Sequence, residues 1–278
     1  MNLKQFIQHS LDEDTGTGDH TSLSCIPKEA VGTATLLAKD NGIIAGVKLA
    51  EEMFHLIDAD LKIEHILKDA APVKPIVEVM KVHGSVHSIL KAERIVLNTM
   101  QRMSGIATYT RSIMDIISHT KAKVLDTRKT TPNFRYFEKL AVRIGGGENH
   151  RMGLYDVIMI KDNHIDFAGG ISNAIESCHK YLKENNLDLK IIVESRNFEE
   201  VKMILNIGGI NRILLDNFTP EETKEAVKFI GDKVDTESSG GINETNIIGY
   251  AEAGVDYISL GALTHQYRSM DLSLKASF

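Results

Sequence analysis

The stretch that decides the fold is IIVESRNFEEVKMILNIGGINRILLDNFTPEETKEAVKFIGDKVDTESSGGI, residues 191–242. Three β-branched or apolar runs, Ile191 to Val193, Ile213 to Leu215 and Val234 with its neighbours, each stop at a polar or glycine residue before a helix-like stretch. The same unit recurs outward from this stretch at Val124-Leu125, Val157 to Ile160 and Tyr257 to Leu260. Strand alternating with helix is the signature of a parallel sheet wrapped by helices. Six such units within about 145 residues fall short of the eight of a closed (β/α)₈ barrel, so the reading is a barrel-like sheet of reduced strand number.

Ligands of such sheets bind at the carboxyl ends of the strands. The residues that follow the runs are Asp126 to Lys129, Lys161 to His164, Glu194, Asp216-Asn217, Glu237 to Gly241 and Gly261 to His265. One lysine or glutamate at a strand end is ordinarily a solubilising loop residue. Six charged or phosphate-compatible ends in succession make chance a poor account.

The first hundred residues read differently. Thr33 to Lys39, Gly42 to Val47, Ile63 to Leu67 and Ile76 to Leu90 look like strands, and a long helix is expected from Ala92 to about Ile117. Gly105 costs about 1 kcal/mol relative to alanine inside a helix, which points to a break or a close packing contact at a domain junction. The expected organisation is α/β: an N-terminal α+β domain over 1–105, then an incomplete, six- to seven-stranded open α/β barrel over 106–267. The tail, 268–278, is expected to pack with the first domain.

With 278 residues, 42% hydrophobic and 25% charged, the chain can fill one large core or two unequal ones, which excludes disorder as its main state. No apolar run approaches the roughly 20 residues of a membrane helix, and Met1 to Leu11 carries polar residues where a signal peptide needs an apolar core. A soluble, cytoplasmic protein without a membrane partner is expected. Cys25 and Cys178 stand far apart with no CxxC pattern, so both read as reduced and structural. The net charge of −6 argues against a nucleic-acid partner. Yet nine Lys or Arg face four acids between Lys121 and Lys161, which fits either a solvated face or an anion site for a small, highly charged ligand.

Thr127-Arg128-Lys129-Thr130-Thr131-Pro132 sets two cations directly after a strand, a planar fork for carboxylate or phosphate beside a compact charge. Gly145-Gly146-Gly147 with His150-Arg151 adds a turn beside two more donors, and His164 reads as a structural hydrogen-bonder. Glu194 and Asp216 on successive strand ends suit Mg²⁺, which takes few protein ligands beside bound phosphates; a hydrolytic acid–base pair is the competing reading. Ser238 to Ile242 and Leu260-Gly261-Ala262 follow the last two strands, where backbone N–H groups commonly hold a phosphate. Together these residues describe a site for a terminal phosphate, a metal-bound polyphosphate and a further anion held by arginines, the pattern of glycosyl transfer from an activated sugar phosphate.

Several long motifs then resemble the quinolinate phosphoribosyltransferase family over nearly the whole chain: EDTGTGDHTS (13–22), ERIVLNTMQRMSGIATYTR (93–111), DTRKTTPNFRYFEKLAVRIGGGENHRMGLYDVIMIKDNH (126–164), LLDNF (214–218), SSGGI (238–242) and GVDYISLGALTH (254–265). The resemblance implies that quinolinate and phosphoribosyl pyrophosphate give nicotinate mononucleotide, pyrophosphate and CO₂ with Mg²⁺, in NAD synthesis. It also implies a homodimer with sites at the subunit interface, with higher oligomers open. Arg94 would reach a quinolinate carboxylate from the partner subunit and join Thr127, Arg128, His150 and Arg151. Lys129 and Lys161 would lie between dicarboxylate and pyrophosphate; with Glu194 and Asp216, which would hold ribose hydroxyls and Mg²⁺, they are the expected catalytic set. Ser239, Gly240, Gly241, Leu260, Gly261, Ala262 and His265 would surround the phosphates.

Asn133 stands where the family usually has glycine, and asparagine is the non-glycine residue best able to take φ > 0. Gly208 to Asn211 is one residue longer than usual. Three rivals remain: a pyrophosphorylase-like relative associated with molybdate transport that uses another acceptor, a Schiff-base lyase built on Lys129 or Lys161, and a non-catalytic phosphosugar-binding module.

Overall fold

The computed structural model describes residues 3–277; Met1, Asn2 and Phe278, which belong to the segments read above as lacking a leader and as a packed tail, lie outside the described residues. The chain begins with α1 (Leu3–Thr15) and α2 (His20–Cys25), then β1 (Val31–Ala38), β2 (Gly42–Ile43), α3 (Val47–Ile57), β3 (Lys62–His65), β4 (Pro72–Val73), β5 (Glu78–Ser85) and α4 (Val86–Ile116). It continues with β6 (Lys123–Leu125), α5 (Arg135–Gly145), β7 (Ile158–Ile160), α6 (Asp162–Phe167), α7 (Ile171–Glu184), β8 (Ile191–Ser195), α8 (Phe198–Ile207), β9 (Arg212–Asp216) and α9 (Pro220–Ile230). The last elements are β10 (Asp235–Ser239), α10 (Ile247–Glu252), β11 (Tyr257–Ser259), α11 (Ala262–His265) and β12 (Leu272–Ser277).

Two compact units result. One takes the chain through Arg111, Thr131–Gly146 and the residues from Gln266 on; the other takes Ser112–Thr130 and Gly147–His265. The division read from sequence at 105/106 therefore falls inside α4, and α5 joins the first unit. The physical reason is aromatic: Phe137 of α5 packs on Phe6 and on Phe134, each with ring centroids 4.7 Å apart.

In the first unit an antiparallel sheet runs in the order β12-β1-β5-β3, with Leu36 opposite Leu274 on one side and Met80 on the other. The tail strand is thus part of this sheet. Two expected strands are shorter than their apolar runs. Only Gly42–Ile43 pairs, with β4, because Asp69 Oδ1 accepts the N–H groups of Gly46 and Val47 at 2.6 and 2.9 Å and starts α3 there. The run from Ile76 to Leu90 divides at Ser85, whose Oγ accepts the Ser88 N–H at 3.3 Å, so α4 begins at Val86 rather than at Ala92. Gly105 does not break α4. A Cβ there would collide with the Arg268 carbonyl, so this glycine marks a close backbone approach.

In the second unit six parallel strands lie in the order β6-β11-β10-β9-β8-β7. Among the described residues β6 and β7 do not pair with each other, so the barrel is open between them; Glu148 adds a single parallel bridge to Leu125. Every residue of β8 is buried. On the helix-facing side Ile191, Val193, Ile213 and Leu215 pack with Val201, Ile204, Ala226 and Ile230 of α8 and α9, each large side chain adding roughly 1.5–3 kcal/mol of transfer free energy. Thr219 and Glu222 form a reciprocal capping box around Pro220 at the start of α9. This clamps the loop that follows Asp216. The opposite faces of the strands fill the barrel and, at their carboxyl ends, build a polar rim.

Candidate active site

Asp126, the first residue after β6, is fully buried. Its Oδ1 accepts the His150 N–H at 2.9 Å and its Oδ2 accepts Asn149 Nδ2, so the segment 149–151 is fastened to the end of β6. Thr127 Oγ1 accepts the Lys129 N–H at 3.0 Å, turning the chain, and the Lys129 carbonyl accepts Thr264 Oγ1 at 2.8 Å. A Cβ on Gly261 would stand 2.9 Å from His265 Nε2 and 3.0 Å from Lys129 Cδ. Lys129 therefore shares one corner of the rim with Gly261 and His265, which are distant from it in sequence.

Glu194 is in register with Leu214, so Asp216, two residues further along the neighbouring strand, lies on the same face of the sheet. Lys161 Nζ lies 3.4 Å from Glu194 Oε2. Burial raises the Glu194 carboxyl above its ordinary value, Lys161 opposes this, and Asp216 and Asp162 add to it. Burial likewise raises Asp216, against Lys161, the Asn217 hydrogen bond and Lys129. Two carboxyls raised by burial thus stand with Lys161, which acts on both, and Lys129, which acts on Asp216. Both lysines are exposed. The Schiff-base rival, which needs a desolvated lysine, gains no support.

Ser239 is in register with Asp216. Asn217 takes φ 58° and donates its N–H to the Ser239 carbonyl at 2.9 Å. Gly240 at φ 99° must lack a side chain, since a Cβ would collide with Asn217, and Gly241 faces open space. Leu260 and Ala262 are buried, and the Leu260 N–H already donates to the Leu125 carbonyl at 2.9 Å. On that side the structure leaves Gly261 and His265 at the rim rather than the Leu260 amide. His164 Nδ1 accepts the Lys161 N–H at 3.0 Å and so is a structural hydrogen-bonder.

Arg151 is buried, and its Nη1 donates to the Val157 carbonyl at 3.2 Å. Burial, then the Arg128 charge, push its guanidinium below the ordinary value. Two guanidiniums close enough to repel are relieved by an anion. The His150 side chain is only 7% exposed and turns both ring nitrogens inward: Nδ1 accepts the Arg151 N–H at 2.7 Å, and Nε2 lies 3.5 Å from Glu237 Oε1. Arg94 belongs to the first unit, on α4, where it is exposed and lines a cavity of about 520 Å³ together with Arg102, Glu13 and Asp14.

Among the described residues no group of three or more His, Cys, Asp or Glu is gathered for a metal ion. Glu194 with Asp216 is an oxygen-only pair of the size Mg²⁺ accepts when substrate oxygens and water complete its shell. The sequence reading missed the roles of Asp126, Asn217 and Glu237. For Asp126 and Asn217 the sequence signal is a polar residue close after an apolar run, whereas Glu237 stands in the all-polar strand DTESS and gives no such signal.

The turn with Asn133 is intact, with φ 62° at the asparagine. Residues 19–104 and 106–275 match the families described as the N-terminal and C-terminal domains of quinolinate phosphoribosyl transferase. The chain is 46% identical to the chloroplastic nicotinate-nucleotide pyrophosphorylase [carboxylating] of Arabidopsis thaliana, over 98% of this chain and 82% of that protein. It is 44% identical, with the same coverage of each, to the mitochondrial quinolinate phosphoribosyltransferase [decarboxylating] 2 of Nicotiana glauca. The solved nicotinate-nucleotide pyrophosphorylase of Francisella tularensis superposes with a TM-score of 0.91 at 38% identity, covering 99% of this chain and 96% of that one. Sequence motifs, barrel and rim agree, and the chain belongs to the quinolinate phosphoribosyltransferase family.

Proposed function

We propose that this chain transfers the phosphoribosyl group of phosphoribosyl pyrophosphate to quinolinate with decarboxylation, giving nicotinate mononucleotide, pyrophosphate and CO₂ in NAD biosynthesis. The observation that carries the residue roles is that Lys161 acts on both Glu194 and Asp216 at the neighbouring ends of β7, β8 and β9, that Lys129 also acts on Asp216, and that Arg128 acts on Arg151.

Arg128 and Arg151 bind the quinolinate carboxylates, whose negative charge offsets their mutual repulsion. Held in this way, the pyridine nitrogen attacks the ribose anomeric carbon as the carbon–oxygen bond to diphosphate breaks and its electron pair leaves on the diphosphate. Lys129 and Lys161 face the charge that grows on that leaving group. Glu194 and Asp216 hold the ribose hydroxyls and are the residues that would hold Mg²⁺, which when bound neutralises diphosphate charge. The quaternised ring nitrogen then stabilises the electron pair left on the adjacent carbon as its carboxylate departs as CO₂, and a proton from water completes the product. Ser239, Gly240, Gly241, Gly261 and His265 surround the phosphates.

The working form is a homodimer in which Arg94 enters the partner's site, and the compartment is the cytoplasm. No helix among the described residues is long and apolar enough to cross a membrane. Incubation with both substrates and Mg²⁺, then chromatography for nicotinate mononucleotide, tests this reading. Consumption of phosphoribosyl pyrophosphate with another acceptor but not with quinolinate would replace it.

A further inference from the structure

Inside the barrel, below the rim, lies an ionic cluster that the mechanism leaves without a role. Glu237 on β10 is in register with Leu214 and Tyr257 and stands two residues before Ser239, one inward-facing layer beneath the mouth. It is fully buried. Its Oε2 accepts Arg212 Nη1 at 2.9 Å, and Oε1 accepts the Ser259 hydroxyl and faces His150 Nε2 at 3.5 Å. Arg212 in turn stacks on the Tyr257 ring, 3.7 Å from its centroid. Burial is the largest influence on Glu237 and opposes its charge, but His150, Arg212 and Ser259 together outweigh it and hold the carboxyl below its ordinary value.

The other edge of the imidazole decides what this does. Nδ1 accepts the Arg151 N–H at 2.7 Å, and a ring nitrogen that accepts carries no proton, so the proton sits on Nε2, the nitrogen 3.5 Å from Glu237 Oε1. A carboxylate behind a histidine fixes both tautomer and ring orientation, as it does behind metal-binding histidines. Here the oriented nitrogen grips the backbone of Arg151, whose guanidinium is held at the Val157 carbonyl and senses Arg128.

We propose that Glu237 is a positioning residue: through His150 it sets the Arg151 backbone, and with it the guanidinium pair that receives the dicarboxylate. The proposal rests on the quinolinate reading above, and its test separates the two.

Glu237→Gln keeps the shape of the side chain and removes its charge. In the intact enzyme the KM for quinolinate is expected to rise about tenfold, the size of one lost charge-assisted hydrogen bond, while the KM for phosphoribosyl pyrophosphate stays within about twofold. His150→Ala combined with Glu237→Gln should cost no more than His150→Ala alone. Two-bond proton–nitrogen spectra should show His150 with its proton on Nε2 in the unaltered protein and redistributed in Glu237→Gln. Ser259→Ala, a milder change at the same carboxylate oxygen, should move the quinolinate KM in the same direction and covers the case of a Glu237 variant that does not fold. Both KM values rising together in step with lost thermal stability, additive effects of the two substitutions, or a wild-type His150 protonated on Nδ1 would each overturn the proposal. If the unaltered protein does not use quinolinate, the functional reading fails, while the His150 spectra still decide the link to Glu237.

Discussion

Lys161 Nζ lies 3.4 Å from Glu194 Oε2, joining the ends of β7 and β8. After burial, Lys161 is the strongest influence on both Glu194 and Asp216, and it opposes burial at each. Lys161→Met keeps the length of the side chain and removes its charge. The expected result is a fall in kcat of about 10²- to 10³-fold, the usual loss of one preorganised electrostatic contact to a developing charge. Steady-state kinetics with both substrates saturating checks it, and near-normal turnover would remove the electrostatic role.

Asp216 should trade stability for function. Its carboxyl lies above the ordinary value in the folded protein, so the folded state holds the proton more tightly than the unfolded state does. Stability is then lost as pH rises from the unfolded value through the folded one. Asp216→Asn is expected to melt at a higher temperature than the unaltered protein at pH 7, to lose that advantage near pH 3, and to be catalytically impaired. Thermal melts at the two pH values, without metal or substrate, give the comparison.

A strained turn in the first unit offers a stabilising change. Ile76 is 76% exposed and takes φ 72°, a conformation foreign to β-branched residues, in the turn closed by the Val77 N–H donating to the Lys74 carbonyl. No burial compensates for the strain. Ile76→Gly should stabilise by about 1 kcal/mol, the low end of the cost of such a residue, or about 3 °C in Tm for a protein of this size. A calorimetric scan showing an unchanged or lower Tm would contradict the strain.

The proposed sharing of sites between subunits has its own test. Arg94→Ala and Lys161→Ala subunits, each inactive alone, should on full exchange form half heterodimers with one intact site each. About a quarter of wild-type activity should return under two-fold symmetry. Exchange verified by mass spectrometry with no recovered activity would take Arg94 out of the partner's site.

The legible parts of the fold were those where burial alone dictates residue type. The β8 run IIV and the β9 run ILL are apolar because both faces of a barrel strand are covered. Their ends are visible because Glu194 and Asp216 interrupt them. Boundaries set by distant hydrogen bonds were not legible: Asp69 starts α3, and Gly105 sits in an unbroken α4 because the Arg268 backbone passes against it. At the rim, residue types at strand ends announced the charges. The pairing of Glu237 with Arg212, Ser259 and His150 was hidden, since its members come from three strands and a loop and meet only once the barrel has closed around them.

The most direct test of the account is a stoichiometry. Protein supplied with quinolinate, phosphoribosyl pyrophosphate and Mg²⁺ should release CO₂ and pyrophosphate in equal amounts with nicotinate mononucleotide, and release no CO₂ when phosphoribosyl pyrophosphate is left out. Decarboxylation without phosphoribosyl pyrophosphate, or pyrophosphate release without decarboxylation, would contradict it.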